Sequence, residues 1–255
     1  MTRRRGITRR FLRFSSRSKG KFCSQNFMIS HQYKCIFIHI PKAAGTSIEF
    51  VLRDCRDLKR RGTQDHRAIW HIQPIPLKSP MLWLKPKILP KLARKAKENV
   101  RIKRKRLGDP VLCTRRQFAA YTKFAVVRNP WARAVSWYRN VIRDPIHRKN
   151  FGVVETTSFE EFMFTFAGKG ALRPQTCWLK GWSGVICLDE ILRFERLDED
   201  FERISRKLGL KVKKLPHKIE SERYDFREFY NERLEKLVSE IYREEIQLFD
   251  YKLRD

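Results

Sequence analysis

The stretch "CIFIHIPKAAGTSIEFVL", from Cys35 to Leu52, decides the fold. It lies in a run of β-branched and aromatic residues (34–40), which predicts a strand buried on both faces. Small residues follow as a loop, and the apolar spacing after them predicts a helix from Thr46 to Cys55. Backbone N–H groups in such a loop and the positive end of the helix dipole both attract anions. The stretch therefore predicts a phosphate-binding loop.

The lysine of this loop, Lys42, comes before the glycine, Gly45. The order G-x-x-x-x-G-K-[ST] of an ATP-binding loop is therefore not followed. We expect the loop to bind a phosphate of another kind, with Lys42 adding a full positive charge. The alternative is a tight strand–helix turn with a surface lysine. The backbone amides and hydroxyls for such a site would come from Ala43, Ala44, Gly45, Thr46 and Ser47.

A second strand–helix junction is predicted in "TKFAVVRNPWARAVSWY", from Thr122 to Tyr138. The first six residues predict another buried strand. Asn129 as N-cap and Pro130 as the first helical residue then predict a helix that runs to about residue 142.

Arg128 ends this second strand, and Ser136 lies about two turns into the helix. Parallel strands end on the same edge of a sheet, so these side chains are expected beside the first loop. An arginine offers two parallel donors to a phosphate, and the serine hydroxyl adds a third. Two phosphate sites on one edge predict a nucleotide that is phosphorylated at both ends.

Strands alternate with helices along the chain, which predicts an α/β fold. We expect a P-loop-like three-layer sandwich with a mainly parallel central sheet flanked by helices. Ser158 and Glu161 predict a capping box at the start of a helix over 158–167, and Gly209 predicts the end of a helix over 198–208. Two further predictions are one or two short strands within 185–194 and one long amphipathic helix over 231–249.

The net charge of +29 is concentrated in two segments. Residues 1–34 contain ten Lys and Arg and no acid, and residues 85–106 contain eleven against one glutamate. We interpret 1–27 as a basic, disordered N-terminal arm and 28–255 as one domain with a basic helical insertion at about 81–106. Such basic segments attract polyanions. An acidic substrate and a membrane surface both explain the insertion.

Six cysteines show neither a C-x-x-C pair nor zinc-ligand spacing. We expect reduced thiols, no metal site and a cytoplasmic protein, with a Cys177–Cys187 disulfide as the alternative. No apolar run reaches about 18 residues, and no signal-peptide pattern follows the basic N-terminus, so we predict no transmembrane segment.

The two junctions resemble the motifs of the sulfotransferases that use 3′-phosphoadenosine 5′-phosphosulfate (PAPS). "HIPKAAGTSIE" is similar to their 5′-phosphosulfate loop, and "FAVVRNPWARAVSWY" is similar to their 3′-phosphate motif. The likeness is to the branch of carbohydrate sulfotransferases with bacterial and phage members, and it extends from about Met28 to Tyr251. Ala43 and Ala44 stand where that branch frequently has a threonine, which removes one hydroxyl donor.

The resemblance implies the roles of both motifs. Lys42 would stabilise the leaving phosphate, the amides of 43–47 would hold the 5′-phosphate, and Arg128 with Ser136 would hold the 3′-phosphate. PAPS would be the sulfuryl donor, and no metal is required. The acceptor would be a hydroxyl of a carbohydrate or glycosylated metabolite, which the basic insertion suggests is acidic. Neither motif assigns an oligomeric state.

The acceptor hydroxyl needs a general base, and histidine is the residue suited to that task near neutral pH. His66 is the first candidate, because the branch often has a histidine at about this place. His71 is the second, and a carboxylate such as Glu49 is the third. By contrast, we expect His39, inside the first strand, to be a packed structural residue.

Three further predictions concern the surroundings of the cleft. Residues 173–175 are expected to border it, since the branch shows a similar Pro-Gln. Trp178 and Trp182 are candidates for stacking on a sugar. Glu195 is expected to be a structural hydrogen-bonding group.

Three rival functions are compatible with parts of the pattern. A nucleotide kinase with an atypical loop would bind ATP with magnesium. A nucleic-acid-binding protein would exploit the positive charge, although no zinc-finger, helix-turn-helix or RNA-binding signature predicts sequence-specific binding. A sulfotransferase fold that binds nucleotide without catalysis is the third.

Overall fold

The computed structural model describes residues 28–52, 66–75, 88–104, 113–212, 214–215 and 224–254. The predicted arm (1–27) lies outside these residues, as do residues 81–87 and 105–106 of the predicted insertion. Between them, Ile88–Arg104 is a helix.

Four strands form one sheet in the order β1–β2–β3–β4. β1 pairs antiparallel with β2, whereas β2–β3 and β3–β4 are parallel. The two central strands are almost wholly buried, which explains their continuous apolar sequences. The predicted α/β fold with a mainly parallel sheet is confirmed. The strands are β1 (Ile29–Ser30), β2 (Cys35–Ile38), β3 (Thr122–Val127) and β4 (Glu190–Arg193).

Helices connect and flank the strands. In the described part of the chain they are α1 (Gly45–Leu52), α2 (Ile69–Ile72), α3 (Ile88–Arg104), α4 (Arg115–Ala120), α5 (Pro130–Arg143), α6 (Pro145–Phe151), α7 (Phe159–Phe166), α8 (Thr176–Leu179), α9 (Leu197–Leu208), α10 (Glu232–Ile241) and α11 (Arg243–Phe249). None of these helices has the length and apolar character that a bilayer-spanning helix requires.

Local signals explain where several helices begin and end. The Asn129 side chain accepts hydrogen bonds from two backbone N–H groups of α5, and Pro130 is the first residue of that helix. Ser158 and Glu161 form the predicted capping box of α7. Gly209 ends α9 in the left-handed region at φ 64°. These short-range predictions are confirmed.

The long helix predicted over 231–249 is wrong, because Tyr242 divides it into α10 and α11. The Tyr242 ring is buried, and its hydroxyl donates to the carbonyl of Leu172 at 2.6 Å and accepts from the N–H of Gly168. This anchor to a distant loop redirects the chain. The redirection places Glu245 of α11 inside the protein, where it has a role at the site described below.

The region 185–194 contains one regular strand, β4, together with an isolated bridge between Lys180 and Ile186. Cys177 and Cys187 are free thiols, so the alternative of a disulfide between them is not realised. Cys35 is fully buried in β2.

Candidate active site

The loop between β2 and α1 has an uncommon backbone. Lys42 and Ala44 have φ values of 65° and 57°, in the left-handed region that costs a non-glycine residue roughly 1–2 kcal/mol. Gly45 has no such strain but lies against a ring: a Cβ at this position would be 1.9 Å from Cδ2 of His39. The loop therefore needs a glycine here because of packing against His39.

His39 is buried and joins the loop to the helix that follows it. Its Nδ1 donates to Oε1 of Glu49 at 2.7 Å, and both side chains are about 2% exposed. This buried pair lies beneath Gly45 and agrees with a structural role for His39. It also encloses Glu49, the carboxylate candidate for the base, inside the protein.

His66 lies against the other side of His39. The two rings meet edge to face with centroids 4.4 Å apart, and Nδ1 of His66 is 3.1 Å from the backbone oxygen of His39. A carbonyl oxygen only accepts, so Nδ1 of His66 carries a proton. In the neutral ring the lone pair is then on Nε2, and the tautomer is fixed by the backbone.

The lysine of the loop contacts the second junction directly. Lys42 Nζ is 3.4 Å from Oδ1 of Asn140 on α5. Burial, together with the nearby positive charges of Arg128 and Arg143, lowers the pKa of Lys42 to about 8. A bound anion would relieve this repulsion, since it would supply the opposite charge that three cations require.

Arg128 ties the two junctions together. Its Nη1 donates to the carbonyl of Lys42 at 3.2 Å, and its guanidinium stacks 4.1 Å from the ring centroid of Phe194. Its Nε is buried and has no hydrogen-bond partner among the described residues. Burial lowers the pKa of this guanidinium, while Tyr224 and Glu195 oppose that change.

Ser136 lies on the same face of α5 as Asn140, one turn before it. The side chain is half-buried. Asn140 is itself oriented, because its amide nitrogen is 2.9 Å from Nδ1 of His147. The face that carries Ser136 thus also contacts Lys42. The two predicted phosphate sites are adjacent on one edge of the sheet.

A sequence model described as the sulfotransferase family matches residues 25–252. The chain belongs to the sulfotransferase family. This match confirms the resemblance drawn from the two motifs. No curated protein and no solved structure matched the chain.

The second junction of this sulfotransferase is supported by Gln175, which the sequence placed at the border of the cleft. Gln175 is instead fully buried. Its Oε1 accepts from the backbone N–H of Arg128 at 2.9 Å, and its Nε2 donates to the carbonyl of Arg128 at 2.7 Å. Gln175 therefore fixes the backbone from which the arginine projects.

Glu245 holds Gln175 in turn. Its carboxylate accepts from both the backbone and the side-chain nitrogens of Gln175, and Arg133 lies 3.9 Å away. Burial raises the pKa of Glu245, while Arg133 and the bonds from Gln175 oppose that rise. Sequence reasoning missed both Glu245 and Arg133, since no local pattern pairs residues so far apart in the chain.

Glu195 supports the same junction from the 3₁₀ turn (Phe194–Arg196) that follows β4. Its Oε1 accepts from the backbone N–H of Asn129 at 2.6 Å, and its Oε2 accepts from the Tyr251 hydroxyl at 3.3 Å. The structural role predicted for Glu195 agrees with these bonds.

Trp178 and Trp182 are 1% and 2% exposed, so the prediction that they stack on a sugar is wrong. Trp178 donates its indole N–H to the carbonyl of His66 at 2.9 Å, and Trp182 donates to the carbonyl of Gln73 at 3.2 Å. The tryptophans hold the segment that carries His66. Both rings are packed inside the protein, and the spacing of the two tryptophans in the sequence does not predict this burial.

His71, the second candidate for the base, belongs to α2 and stacks on Trp70 with ring centroids 3.6 Å apart. The candidates for the general base are His66, His71 and Glu49. His66 both contacts His39 and is partly exposed to solvent. In the described ranges no three His, Cys, Asp or Glu side chains come together as a set of metal ligands.

Proposed function

We propose that the protein transfers the sulfuryl group of PAPS to a hydroxyl of a carbohydrate or glycosylated metabolite. The observation that supports this best is the bond from Arg128 to the carbonyl of Lys42. It brings together the two junctions that are proposed to bind phosphate, as a nucleotide with phosphate groups at both ends would require. The buried, unpaired Nε of Arg128 is a donor that a 3′-phosphate would satisfy.

In the proposed mechanism, amides of the β2–α1 loop hold the 5′-phosphate. The sequence suggested those of 43–47, but the N–H groups of Ala43 and Ser47 already donate to the carbonyls of Ile40 and Ala44. The proposed donors are therefore the amides of 44–46. The donor supplies sulfur bonded to a phosphate oxygen that leaves as an anion. Lys42 balances the charge on that oxygen, so the lysine must be protonated; its pKa of about 8 allows this at neutral pH. Enzymes catalyse such transfers mainly by positioning the reactants and stabilising charge, and the protein takes little part in covalent chemistry.

His66 is the proposed general base. Because its Nδ1–H donates to the carbonyl of His39, Nε2 accepts the proton of the acceptor hydroxyl. The acceptor oxygen forms a bond to sulfur as the bond from sulfur to the phosphate oxygen breaks. The transferred proton remains on His66 until it is released to solvent.

The first test is a thermal-shift comparison of 3′-phosphoadenosine 5′-phosphate (PAP) with ATP–magnesium, ADP and NAD. We expect PAP to give the largest shift, because only PAP has a phosphate for both junctions. A larger shift with ATP–magnesium would support the kinase alternative and overturn the proposal. Transfer of labelled sulfate from PAPS to a panel of sugars then tests catalysis against the binding-only alternative.

Two related proposals concern where the catalytic domain begins and where the protein works. We propose that the catalytic domain begins near Met28, which is fully buried and accepts a hydrogen bond from the N–H of Phe37 at 2.7 Å. We also propose that the protein works in the cytoplasm, on the basis of its free cysteines.

A further inference from the structure

A group of cations surrounds three tryptophans beside the segment that carries His66. We define this cationic–aromatic cluster by the residues Arg67, Trp70, Lys91, Arg94, Lys95, Arg173, Trp178 and Trp182. Its members come from three separate parts of the chain. No short sequence motif predicts this cluster.

Helix α3 forms one wall of the cluster. Lys91, Arg94 and Lys95 lie at helical spacing on one face. The Arg94 guanidinium is 5.5 Å from the ring centroid of Trp70, and Lys95 Nζ is 5.4 Å from that of Trp182. Lys95 also donates to the carbonyl of Gln73, so its position is fixed.

Arg173 adds a cation from the segment that precedes α8. Its guanidinium lies 4.5 Å from the ring centroid of Trp178, and its Nε donates to the carbonyl of Gly170. Trp178 in turn donates to the carbonyl of His66. The cluster is therefore joined by direct contacts to the residue proposed as the base.

The charges in the cluster repel one another. Burial, together with the neighbouring Arg67, lowers the pKa of Lys95 to about 8. Burial also lowers the pKa of Arg173, and the charge of Arg94 adds to this effect. Among the side chains that the structure describes, which do not include that of Glu98, no carboxylate is paired with Arg94, Lys95 or Arg173. An anionic ligand would offset the cost of gathering these cations.

We propose that the cationic–aromatic cluster is an acceptor subsite for a carbohydrate that carries a carboxylate or sulfate group near the hydroxyl to be modified. This inference rests on the proposed function, because it gives the cluster's ligand as the acceptor. Arg94 is exposed and Arg173 is half-buried, so both can meet a ligand, while the buried Lys95 and Arg67 add positive potential behind them. Two arginines held against tryptophan rings suit a discrete anionic group on a carbohydrate, and the vesicle measurement described below tests a bilayer instead.

The test uses the full chain and two oligosaccharide probes of equal length. One probe alternates glucuronic acid with N-acetylglucosamine, and the other is the neutral oligomer of N-acetylglucosamine. Calorimetric titration in low salt should show tighter binding of the uronate probe, with an affinity that falls as salt is added. Equal affinity for the two probes would overturn the proposal.

Single substitutions locate the binding. Arg94→Gln and Arg173→Gln should each weaken binding of the uronate probe by about 5- to 10-fold, since each removes one charged hydrogen-bond donor. Arg94→Lys keeps the charge and should restore much of the affinity. Lys97→Gln is the matched control: it removes the same charge from an exposed position of α3 and should change the affinity by less than about 2-fold. If Arg94→Gln and Arg173→Gln bind like the control, the subsite is elsewhere and the proposal fails.

Two further measurements separate the alternatives. Vesicles of phosphatidylserine and phosphatidylcholine test a membrane role: if Arg94→Gln weakens vesicle binding but not binding of the uronate probe, the proposal is overturned. PAP binding by the unmodified protein tests the proposed function independently. Uronate binding without PAP binding would reject the sulfotransfer proposal, whereas PAP binding without uronate binding would reject only the subsite.

Discussion

The two strand–helix junctions on the sheet edge are both proposed to bind phosphate, but the structure positions their binding groups in different ways. At the β2–α1 junction, the backbone itself is shaped: Lys42 and Ala44 are left-handed, and Gly45 is pressed against His39. At the β3–α5 junction, the backbone is regular and side chains do the positioning, with Gln175 bonded to both the N–H and the carbonyl of Arg128. The first junction is specified locally, whereas the second depends on distant parts of the chain.

The largest expected effect is on catalysis at the first junction. Lys42→Ala should lower the rate of sulfuryl transfer by about 10³-fold, because the charge on the leaving phosphate would lose its main stabilising group. The unfolding temperature should not fall, since Lys42 is a strained, poorly solvated cation in the folded protein.

Transfer rates from PAPS measure this effect, and thermal unfolding checks the fold. Lys149→Ala, at an exposed position of α6, is the control and should keep the full rate. A Lys42→Ala enzyme with the full rate would exclude the proposed mechanism.

The next effect tests whether the first junction is truly local. Gly45→Ala should reduce the free energy of unfolding by about 3 kcal/mol, because the new Cβ would overlap the His39 ring. Chemical denaturation measures this loss. In combination with His39→Ala, the loss caused by Gly45→Ala should shrink by more than about 1 kcal/mol, as expected of residues in contact. Additive effects would show that the ring does not impose the glycine.

The second junction should be weakened from a distance. Gln175→Ala should cost about 2 kcal/mol of stability, because it leaves buried groups of Arg128 and Glu245 without partners. It should also weaken PAP binding. Gln247→Ala, exposed on α11, is the control and should change stability by less than about 0.5 kcal/mol. Unchanged PAP binding in a folded Gln175→Ala variant would contradict the positioning role.

A pH effect should distinguish the junctions further. The pKa of Lys42 is lowered to about 8, so the lysine is protonated below that pH and loses its charge above it. PAP affinity should therefore fall as pH rises past about 8, by at most about 10-fold per pH unit. In Lys42→Ala, whose remaining contacts come from arginine and backbone, titration calorimetry should show no fall in this range. The same fall in both proteins would exclude Lys42 as its cause.

The smallest effect is expected for the N-terminal segment that precedes the described residues. Deletion of residues 1–27 should change the free energy of unfolding by less than about 1 kcal/mol, because the core that the structure describes is already complete with Met28 as its first member. Chemical denaturation and PAP titration of the shortened protein check this. Loss of folding on deletion would show that the domain starts earlier.

The contrast between the junctions also explains what could be predicted from the sequence. The two strands, the Asn129 cap and the Ser158–Glu161 box depend on residues a few positions apart, and each was predicted correctly. The break at Tyr242 was not, because it depends on contacts with a loop some 70 residues earlier.

At the site, the sequence identified Lys42, Arg128 and Ser136 through motifs, but it gave no indication that Gln175 and Glu245 support them. A glutamine and a glutamate in a polar segment look like surface residues until the fold shows them buried. The burial of Trp178 and Trp182 was not predicted because aromatic residues occur both in protein cores and on sugar-binding faces, and the sequence does not distinguish the two.

The ring of His39 has one further consequence. It lies against Gly45 of the loop and against His66, the proposed base. Because one ring contacts both residues, it sets the separation between them. In the proposed reaction His39 is therefore a positioning residue, which aligns the donor loop with the base and exchanges no proton with the substrate.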